Sequence, residues 1–272
     1  MKSSWYRIKA QDTGPIEVLI YDFIDMWGVR AEDFKREFEA AAKTGRDIIV
    51  DITSPGGDVF DGMAIHNTIA KYRDRVTVNV SGVAASIASV IALAGSSLRM
   101  AEGTFFMIHN PWSMALGEAK DLRARADTLD KIRGEIIGVY SRKTGISVEE
   151  IGEAMDSETW YTPEEAYTAG FADEIAGTGE IAAAAFDWNQ YRYNNTPSAL
   201  IAAKRQHDRP KTERHLEQSL TALGYSNTQA ERIAHAAKEA LGEPAPIGQG
   251  EPDYASSMRE LNEKILQGVN NE

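Results

Sequence analysis

The chain has 272 residues, a formal net charge of −12 and hydrophobic residues at 43% of its positions, a composition typical of a globular protein. With 29 basic and 41 acidic side chains, a broad basic surface is excluded, so nucleic acid is not an expected partner. The absence of cysteine excludes disulfides, thiolate metal sites and a cysteine nucleophile. We expect a soluble protein without a signal peptide or a membrane partner, because the most apolar stretch, residues 83–93, is about half a membrane span.

The first 180 residues or so alternate short apolar runs with longer amphipathic patterns. In chain order these patterns predict a strand over 17–21, a helix over 32–38, a strand over 47–52, a helix over 60–72, a strand over 76–80, a helix over 84–94, a strand over 105–108 and a long helix over 117–143. Such alternation favours layered α/β architecture with a mainly parallel sheet.

The strand pattern ends near residue 186, and the composition changes there. We predict a main domain over residues 1–186 and a tail, partly helical and partly flexible, over residues 187–272. The tail begins with a polar and aromatic stretch at 189–197 that resembles a linker, followed by a basic run at 204–215. Two short helices around a glycine turn come next, with Ser226 as the N-cap of the second.

Ser86 is a candidate nucleophile because it lies where a predicted strand gives way to a helix of small residues. The first N–H groups of a helix have no partner within it, so they can stabilise negative charge that develops beside them. The small neighbours leave room for a substrate backbone. Taken alone, the same position is more often a helix N-cap among tightly packed alanines.

His109 and a Gly-Gly turn supply two further candidates. His109 ends an apolar strand just before Pro111, which makes it a better general base than His66, which lies inside a predicted helix. A lone histidine of this kind is nevertheless more often structural. Gly56 and Gly57 follow another strand, where their N–H groups could form half of an oxyanion hole or simply a turn.

An acidic side chain that could orient a histidine precedes a short helix. Either Asp156 or Glu158 could contact the second ring nitrogen of His109. The alternative is that both are ordinary acids near helix ends, since Thr162 and Glu165 form a capping box just beyond them. The spacing alone leaves this choice open.

Together these segments resemble the Clp protease proteolytic-subunit family, over about Glu17 to Ile175. The shared motifs, in the family's order and spacing, are Ser54-Pro55-Gly56-Gly57, Gly82-x-Ala84-Ala85-Ser86, Met107-Ile108-His109-x-Pro111 and Glu165-Ala166-x-x-x-Gly170-x-x-Asp173. The phage branch, the head maturation (prohead) proteases, is the closer match. Its features here are Trp5-Tyr6, Trp27-Gly28-Val29, Asp58-Val59-Phe60-Asp61-Gly62, Glu158-Thr159-Trp160 and the tail pattern Leu223-Gly224-Tyr225-Ser226.

The resemblance implies a role for each candidate site residue. Ser86 would be the nucleophile and His109 the general base, with the N–H groups of Gly57 and Ile87 as the oxyanion hole. Counted without gaps from Ile151 to Trp160, the family's aspartate falls on Glu158, whereas Asp156 keeps the residue type but is displaced by two positions. Glutamate can also orient the histidine of such a triad, so we predict Glu158 as the third member.

The resemblance also implies an α/β fold of the Clp protease and crotonase type, with the helix over 117–143 as a protruding handle and assembly into rings of identical subunits. It implies neither a metal nor a cofactor. A head maturation protease would act without ATP inside the assembling procapsid, in the cytoplasm of the host bacterium. Its substrates would be the scaffold protein, the major coat protein or both.

Three alternatives compete with this interpretation. A housekeeping Clp proteolytic subunit would work with an unfolding ATPase, although the roughly 85 residues after Asp187 argue for an additional role. An assembly protein of the same fold that has lost proteolysis would tolerate the substituted acid at Glu158. An acyl-CoA enzyme of the crotonase type would not need the pair Ser86 and His109. A covalent serine probe separates the phage protease and the housekeeping subunit from the inactive assembly protein and the crotonase-type enzyme.

Overall fold

The computed structural model describes residues 5–10, 13–24, 30–178, 186, 188, 191, 193–207, 213–222 and 226–241. Its contacts divide the chain into two compact units, Met1–His207 and Asp208–Glu272. The motif at 27–29, most of the motif at 223–226 and the tail beyond residue 241 lie outside the described residues. Along the described part of the chain, no helix combines the length and apolar character that a membrane crossing requires. The domain boundary at residue 186 stays a prediction.

In the described residues of the first unit, eight strands form one mixed sheet. They are β1 Tyr6–Lys9, β2 Ile16–Tyr21, β3 Ile48–Ser54, β4 Val76–Ala85, β5 Ser97–Glu102, β6 Phe105–Ile108, β7 Thr159–Tyr161 and β8 Glu174–Thr178. The order is β1-β2-β3-β4-β5-β8, while β6 pairs with β4 and β7 pairs with β6. The pairs are parallel except for β1 with β2 and β6 with β7. This confirms the predicted mainly parallel α/β fold.

The helices of the first 145 residues fall near the predicted ones. The helix over Val148–Asp156, which follows the long helix, was not predicted. They are α1 Ala31–Ala42, α2 Val59–Ala70, α3 Ile87–Ala92, α4 Ala119–Thr144, α5 Val148–Asp156, α6 Pro163–Thr168, α7 Ser198–His207, α8 Glu213–Ala222 and α9 Asn227–Leu241. A short 3-10 turn spans Arg73–Arg75. In the second unit, α8 and α9 form the expected helix pair, and the Ser226 hydroxyl accepts a hydrogen bond from the Gln229 N–H at 3.3 Å.

One predicted helix is wrong in its start, and the difference matters for the site. The pattern over 84–94 suggests that a helix begins near Ala84, but β4 continues to Ala85 and α3 starts only at Ile87. The extension exists because Val83, Ala84 and Ala85 pair in parallel with β6, which is a long-range contact that the local pattern does not contain. Strand β4 therefore pairs with β5 along its first half and with β6 along its last residues.

The core of the first unit lies between the apolar side of the sheet and the helices that cover it. Phe34 and Phe38, predicted to share one face of α1, are both fully buried and stack on each other at 5.4 Å between ring centroids. Full burial of such a side chain contributes about 1.5–3 kcal/mol. The centre of the sheet alternates buried aliphatic and half-buried residues along β2 and β3, as a sheet with one covered side should.

Helix α4 is the predicted long helix, and only its C-terminal part is packed. Its buried residues are Ile136, Ile137, Val139 and Tyr140, whereas Leu122 in the first turn remains 44% exposed. Gly145 ends the helix in the left-handed conformation, with φ of 76°. The N-terminal half of α4 therefore projects from the subunit with apolar side chains uncovered.

Candidate active site

Three parallel strands end at one edge of the sheet, and the candidate residues follow directly after them. Ser54 of β3 pairs with Ala84 of β4, and Ala85 of β4 pairs with Met107 of β6. The carboxyl ends of parallel strands are where α/β proteins place their ligands. The register therefore brings the Gly-Gly turn, Ser86 and His109 together.

Ser86 occupies a sharp turn between β4 and α3. Its φ of 56° and ψ of −130° lie in a region that costs a non-glycine residue roughly 1–3 kcal/mol. Its N–H donates to the Met107 carbonyl at 3.0 Å, which fixes the turn against β6. A strained strand-to-helix turn is a common way to present a nucleophilic serine above a parallel sheet.

His109 lies at hydrogen-bonding distance from the candidate nucleophile. Its Nε2 is 2.7 Å from the Ser86 Oγ. Burial lowers the pKa of His109 from its ordinary 6.5, while the negative charge of Glu158 raises it. Burial is the larger effect, so the imidazole is held in the neutral form that can accept the serine proton.

The Gly-Gly turn places backbone donors beside Ser86. A side chain at Gly57 would put its Cβ 2.0 Å from the Ile24 carbonyl oxygen, and one at Gly56 would lie 2.7 Å from the Ser86 Cβ. Only glycine allows these approaches. Among the described residues, the N–H groups of Gly57 and Ile87 have no recorded acceptor, and Ile87 is the first residue of α3. Both are therefore available to a developing oxyanion.

Strand β7 determines which acidic residue faces His109. Because β7 runs antiparallel to β6 and Thr159 pairs with Ile108, Glu158 lies opposite His109. Glu158 is only 7% exposed. Asp156, in contrast, is exposed and accepts hydrogen bonds from Asn110 at 2.7 Å and Arg133 at 2.9 Å. The geometry therefore favours Glu158 over Asp156.

The Glu158 carboxylate is held by Trp160 and by two asparagines that follow the predicted main domain. One oxygen accepts from the Asn194 N–H at 2.8 Å, and the other accepts from the Asn195 N–H at 2.7 Å and the Trp160 indole at 3.2 Å. Among the described residues, no hydrogen bond joins Glu158 to His109. The charge of Glu158 thus reaches the histidine through space.

Sequence reasoning missed Tyr193, which lies against the candidate site. Its ring meets the His109 ring edge-on, with 5.4 Å between centroids, and its hydroxyl donates to the Pro55 carbonyl. The stretch containing Tyr193 was expected to resemble a linker, yet its described residues pack on the first unit. The available signal was the density of aromatic residues, because Phe186, Trp188, Tyr191 and Tyr193 fall within eight positions and exposed linkers are rarely so aromatic.

A second serine near the site is not available for chemistry. Ser89 is fully buried, its hydroxyl donates to the Ser86 carbonyl at 2.5 Å, and it lies 2.7 Å from the Tyr140 hydroxyl. Ser89 therefore supports the turn from below. Ser86 alone of the two presents a hydroxyl to the histidine.

A serine on a strained turn, a neutral histidine within hydrogen-bonding distance, a buried carboxylate and two backbone donors define a serine hydrolase on an α/β sheet. Residues 38–179, more than half of the chain, match the family model described as Clp protease. The chain therefore belongs to the Clp protease family of serine endopeptidases. The phage branch of that family stays a prediction.

Several relatives show the same relationship at moderate identity. The chain is 33% identical over 147 residues, 53% of its length and 72% of the relative's, to the ATP-dependent Clp protease proteolytic subunit 3 of Rhodococcus jostii strain RHA1. It is 35% identical over 140 residues, 50% and 68% of the two lengths, to subunit 1 of Protochlamydia amoebophila. It is 32% identical over 133 residues to the subunit of a Bacteroides fragilis strain, where the match spans 64% of that relative and 48% of this chain.

Proposed function

We propose that the chain hydrolyses peptide bonds through an acyl-enzyme formed on Ser86. The distance of 2.7 Å between the Ser86 Oγ and the His109 Nε2 carries this proposal. As the Ser86 oxygen forms a bond to the substrate carbonyl carbon, its proton moves to His109. The carbon–nitrogen bond then breaks, and His109 gives that proton to the leaving amine. Water activated by His109 subsequently releases the acid and restores the serine.

The N–H groups of Gly57 and Ile87 stabilise the negative oxygen of the tetrahedral intermediate. Both lie at the edge of the sheet beside Ser86, and neither has a recorded acceptor among the described residues. Removal of one such donor typically lowers kcat by about 10²–10³-fold. These two groups belong to the backbone, so side-chain substitution does not remove them, and glycine is required at residue 57 because a Cβ there would clash with the Ile24 carbonyl.

Glu158 is the third member of the triad and acts through charge. Its carboxylate stabilises the imidazolium that forms when His109 accepts the serine proton. The position of Glu158 opposite His109 across β6 and β7 supports this role. Asp156 binds Asn110 and Arg133 and serves the structure of the neighbouring loop.

A fluorophosphonate tests the nucleophile directly. We expect it to modify Ser86, as located by mass spectrometry of the digested protein, and we expect Ser86→Ala to abolish both modification and peptide cleavage. Ser89→Ala is the matched control, since it removes a nearby hydroxyl that is buried beneath the turn. Full peptide cleavage by Ser86→Ala would end the proposal. Absence of both cleavage and serine modification in the native protein would leave the inactive assembly protein or the crotonase-type enzyme as the explanation.

We further propose that this peptidase matures a phage head without ATP, by cutting scaffold or coat protein inside the procapsid. The resemblance to the phage branch at Asp58–Gly62 and Glu158–Trp160 supports this placement, as does the second compact unit, Asp208–Glu272, which follows the region matched by the family model. Co-expression with the adjacent coat and scaffold proteins, followed by mass measurement of the products, is the test. Uncut coat and scaffold proteins in assembled particles would exclude it.

A second candidate is a Clp proteolytic subunit that works with an ATPase. The printed names of the relatives, which call them ATP-dependent, favour it. The two functions separate in one assay, which measures degradation of a folded protein with and without an unfolding ATPase and ATP. Degradation only in the presence of both supports the ATP-dependent function, whereas unchanged activity supports the procapsid protease.

A further inference from the structure

The residues that follow the sheet return across its catalytic edge. Phe186, Trp188, Tyr191 and Tyr193–Asn195 are called the aromatic segment below. Its anchor is an apolar cluster at the carboxyl ends of β4 and β6. The buried members of this cluster are Val83, Ala85, Met107, Phe186, Trp188 and Leu200. Aromatic contacts continue along the segment from Phe186 to Tyr193, with ring centroids 5.6–6.4 Å apart. Because the cluster includes Ala85, the segment is anchored beside the residue that precedes Ser86.

Tyr193 contacts the nucleophile, the candidate base and the residue before the Gly-Gly turn. Its ring covers His109 edge-on, and its hydroxyl bonds to the carbonyl of Pro55, the residue before the Gly-Gly turn. Burial, with a contribution from the charge of Glu158, raises the pKa of Tyr193, while a hydrogen bond with the Ser86 hydroxyl lowers it. A substrate carbonyl has to reach both Ser86 and the Gly57 N–H, so a tyrosine hydroxyl bonded to Ser86 and to Pro55 competes with it.

The aromatic segment also donates hydrogen bonds to the Glu158 carboxylate. The backbone N–H groups of Asn194 and Asn195 each bind one of its oxygens, and the Asn195 side chain bonds to the Ser157 carbonyl at 2.8 Å. Charge-assisted bonds of this kind are stronger than neutral ones. While they persist, Glu158 makes no recorded hydrogen bond to His109 among the described residues.

The packing of the aromatic segment contains a defect that favours release. The Trp188 indole N–H is buried and has no hydrogen-bond partner among the described residues. A buried donor without an acceptor has lost its bond to water and gained nothing in return. Release of the segment would restore that bond, so the covered state is less stable than its aromatic contacts suggest.

From these contacts we infer that the aromatic segment is an autoinhibitory cover, in which Tyr193 blocks Ser86 and Asn194 and Asn195 withhold Glu158. The inference rests on the proposed peptidase function. The covered subunit is inactive, and displacement of the segment opens the peptide site and frees the carboxylate in one movement. The observed rate is then the rate of the open form multiplied by its population.

Substitution of Tyr193 tests the cover. We expect Tyr193→Ala to increase the rate of Ser86 modification by a small fluorophosphonate about tenfold, because losing the ring and the hydroxyl shifts the population toward the open form. Hydrolysis of a short peptide should rise in parallel. The matched control is Tyr167→Ala, which removes an exposed tyrosine on α6, 54% accessible, and should leave both rates unchanged.

A reversible crosslink tests the same cover in the opposite direction. The chain has no cysteine, so Ser157→Cys and Asn195→Cys can be combined and joined by a reductant-cleavable bismaleimide. This reagent avoids the strict geometry of a disulfide, and the Asn195 backbone N–H is retained. We expect the joined protein to lose most of its Ser86 modification, and we expect a reductant to restore it.

The outcomes separate the cover from the peptidase. Equal modification of Ser86 in the native protein, in Tyr193→Ala and in the crosslinked variant would overturn the cover and leave the peptidase intact. Slower modification in Tyr193→Ala would overturn it too, since Tyr193 would then belong to the working site. Absence of Ser86 modification in every variant, including Tyr193→Ala, would remove the peptidase and the cover together.

Discussion

At the scale of single residues, the site depends on two backbone conformations that their side chains disfavour. Ser86 has a φ of 56° and Glu158 a φ of 48°. Each conformation costs stability, and each occurs at a candidate site residue, where backbone strain is often concentrated. Strand pairing next to each residue maintains the strain. Ser86 follows the end of β4 that pairs with β6, and Glu158 precedes β7, which also pairs with β6.

The balance of burial and charge at His109 leads to a pH prediction. Because burial lowers the pKa of His109 from 6.5, the acid limb of kcat/KM should lie below that value, and activity should fall as the pH drops through the lowered pKa. Glu158→Gln removes the charge that raises this pKa, so the acid limb should move further down. The rate itself should fall by on the order of 10⁴-fold.

Asp156→Asn is the matched control for this measurement. Asp156 is exposed and paired with Arg133, so its neutralisation should leave the acid limb in place and reduce kcat/KM far less. A pH profile for the series identifies the third member of the triad. A larger loss in Asp156→Asn than in Glu158→Gln would assign the role to Asp156.

At the scale of elements, the sequence predicted what local periodicity and motif spacing can encode. Strand β6 is placed correctly, as is the amphipathic face of α1, and the motif spacing singled out both Ser86 and His109. The extension of β4 to Ala85 was missed because its partner in β6 is about twenty residues away. Tyr193 was missed for the same reason, since it reaches His109 across 84 residues of chain.

Exposed apolar side chains on helix α4 predict that the subunits form an oligomer. Its projecting half carries Leu122, 44% exposed, and the half-buried Leu129, and apolar side chains on a projecting helix favour a subunit interface. We expect the native protein to sediment as a homo-oligomer. Combined Leu122→Glu and Leu129→Glu substitutions should shift it toward a 30 kDa monomer while its circular dichroism stays unchanged.

Lys120→Glu, an exposed change on the same half of α4, is the control and should leave the sedimentation coefficient of the oligomer unaltered. If the native chain is a stable monomer at micromolar concentration and is active on peptides, the ring assembly is wrong. The projecting helix would then need another partner.

At the scale of the whole molecule, the chain divides after His207, and the two units are expected to have different tasks. The first contains every candidate catalytic residue and the aromatic segment. The second, with α8 and α9, contains none of the site residues. A compact unit with its own core can have a task of its own, so we predict that the second unit serves targeting.

Truncation after His207 is therefore expected to leave short-peptide hydrolysis and Ser86 modification within about twofold of the full chain, because the removed unit contains none of the site residues. It should abolish incorporation into procapsids or processing of the protein substrate. Co-purification with coat and scaffold proteins measures the second effect. If the truncated chain still enters particles and processes its substrate, the second unit has no targeting role.

The order of the site along the chain has a consequence for biosynthesis. Glu158 is the last of the candidate triad residues to leave the ribosome, and Tyr193 follows 35 residues later. At typical rates of ribosomal elongation, this interval lasts a few seconds. Since Ser86 needs β6 for its turn and Glu158 needs β7, a nascent chain has no assembled nucleophile until nearly all of the sheet is synthesised. The cell that makes this peptidase is thus exposed to an uncovered, newly folded site only briefly before Tyr193 emerges.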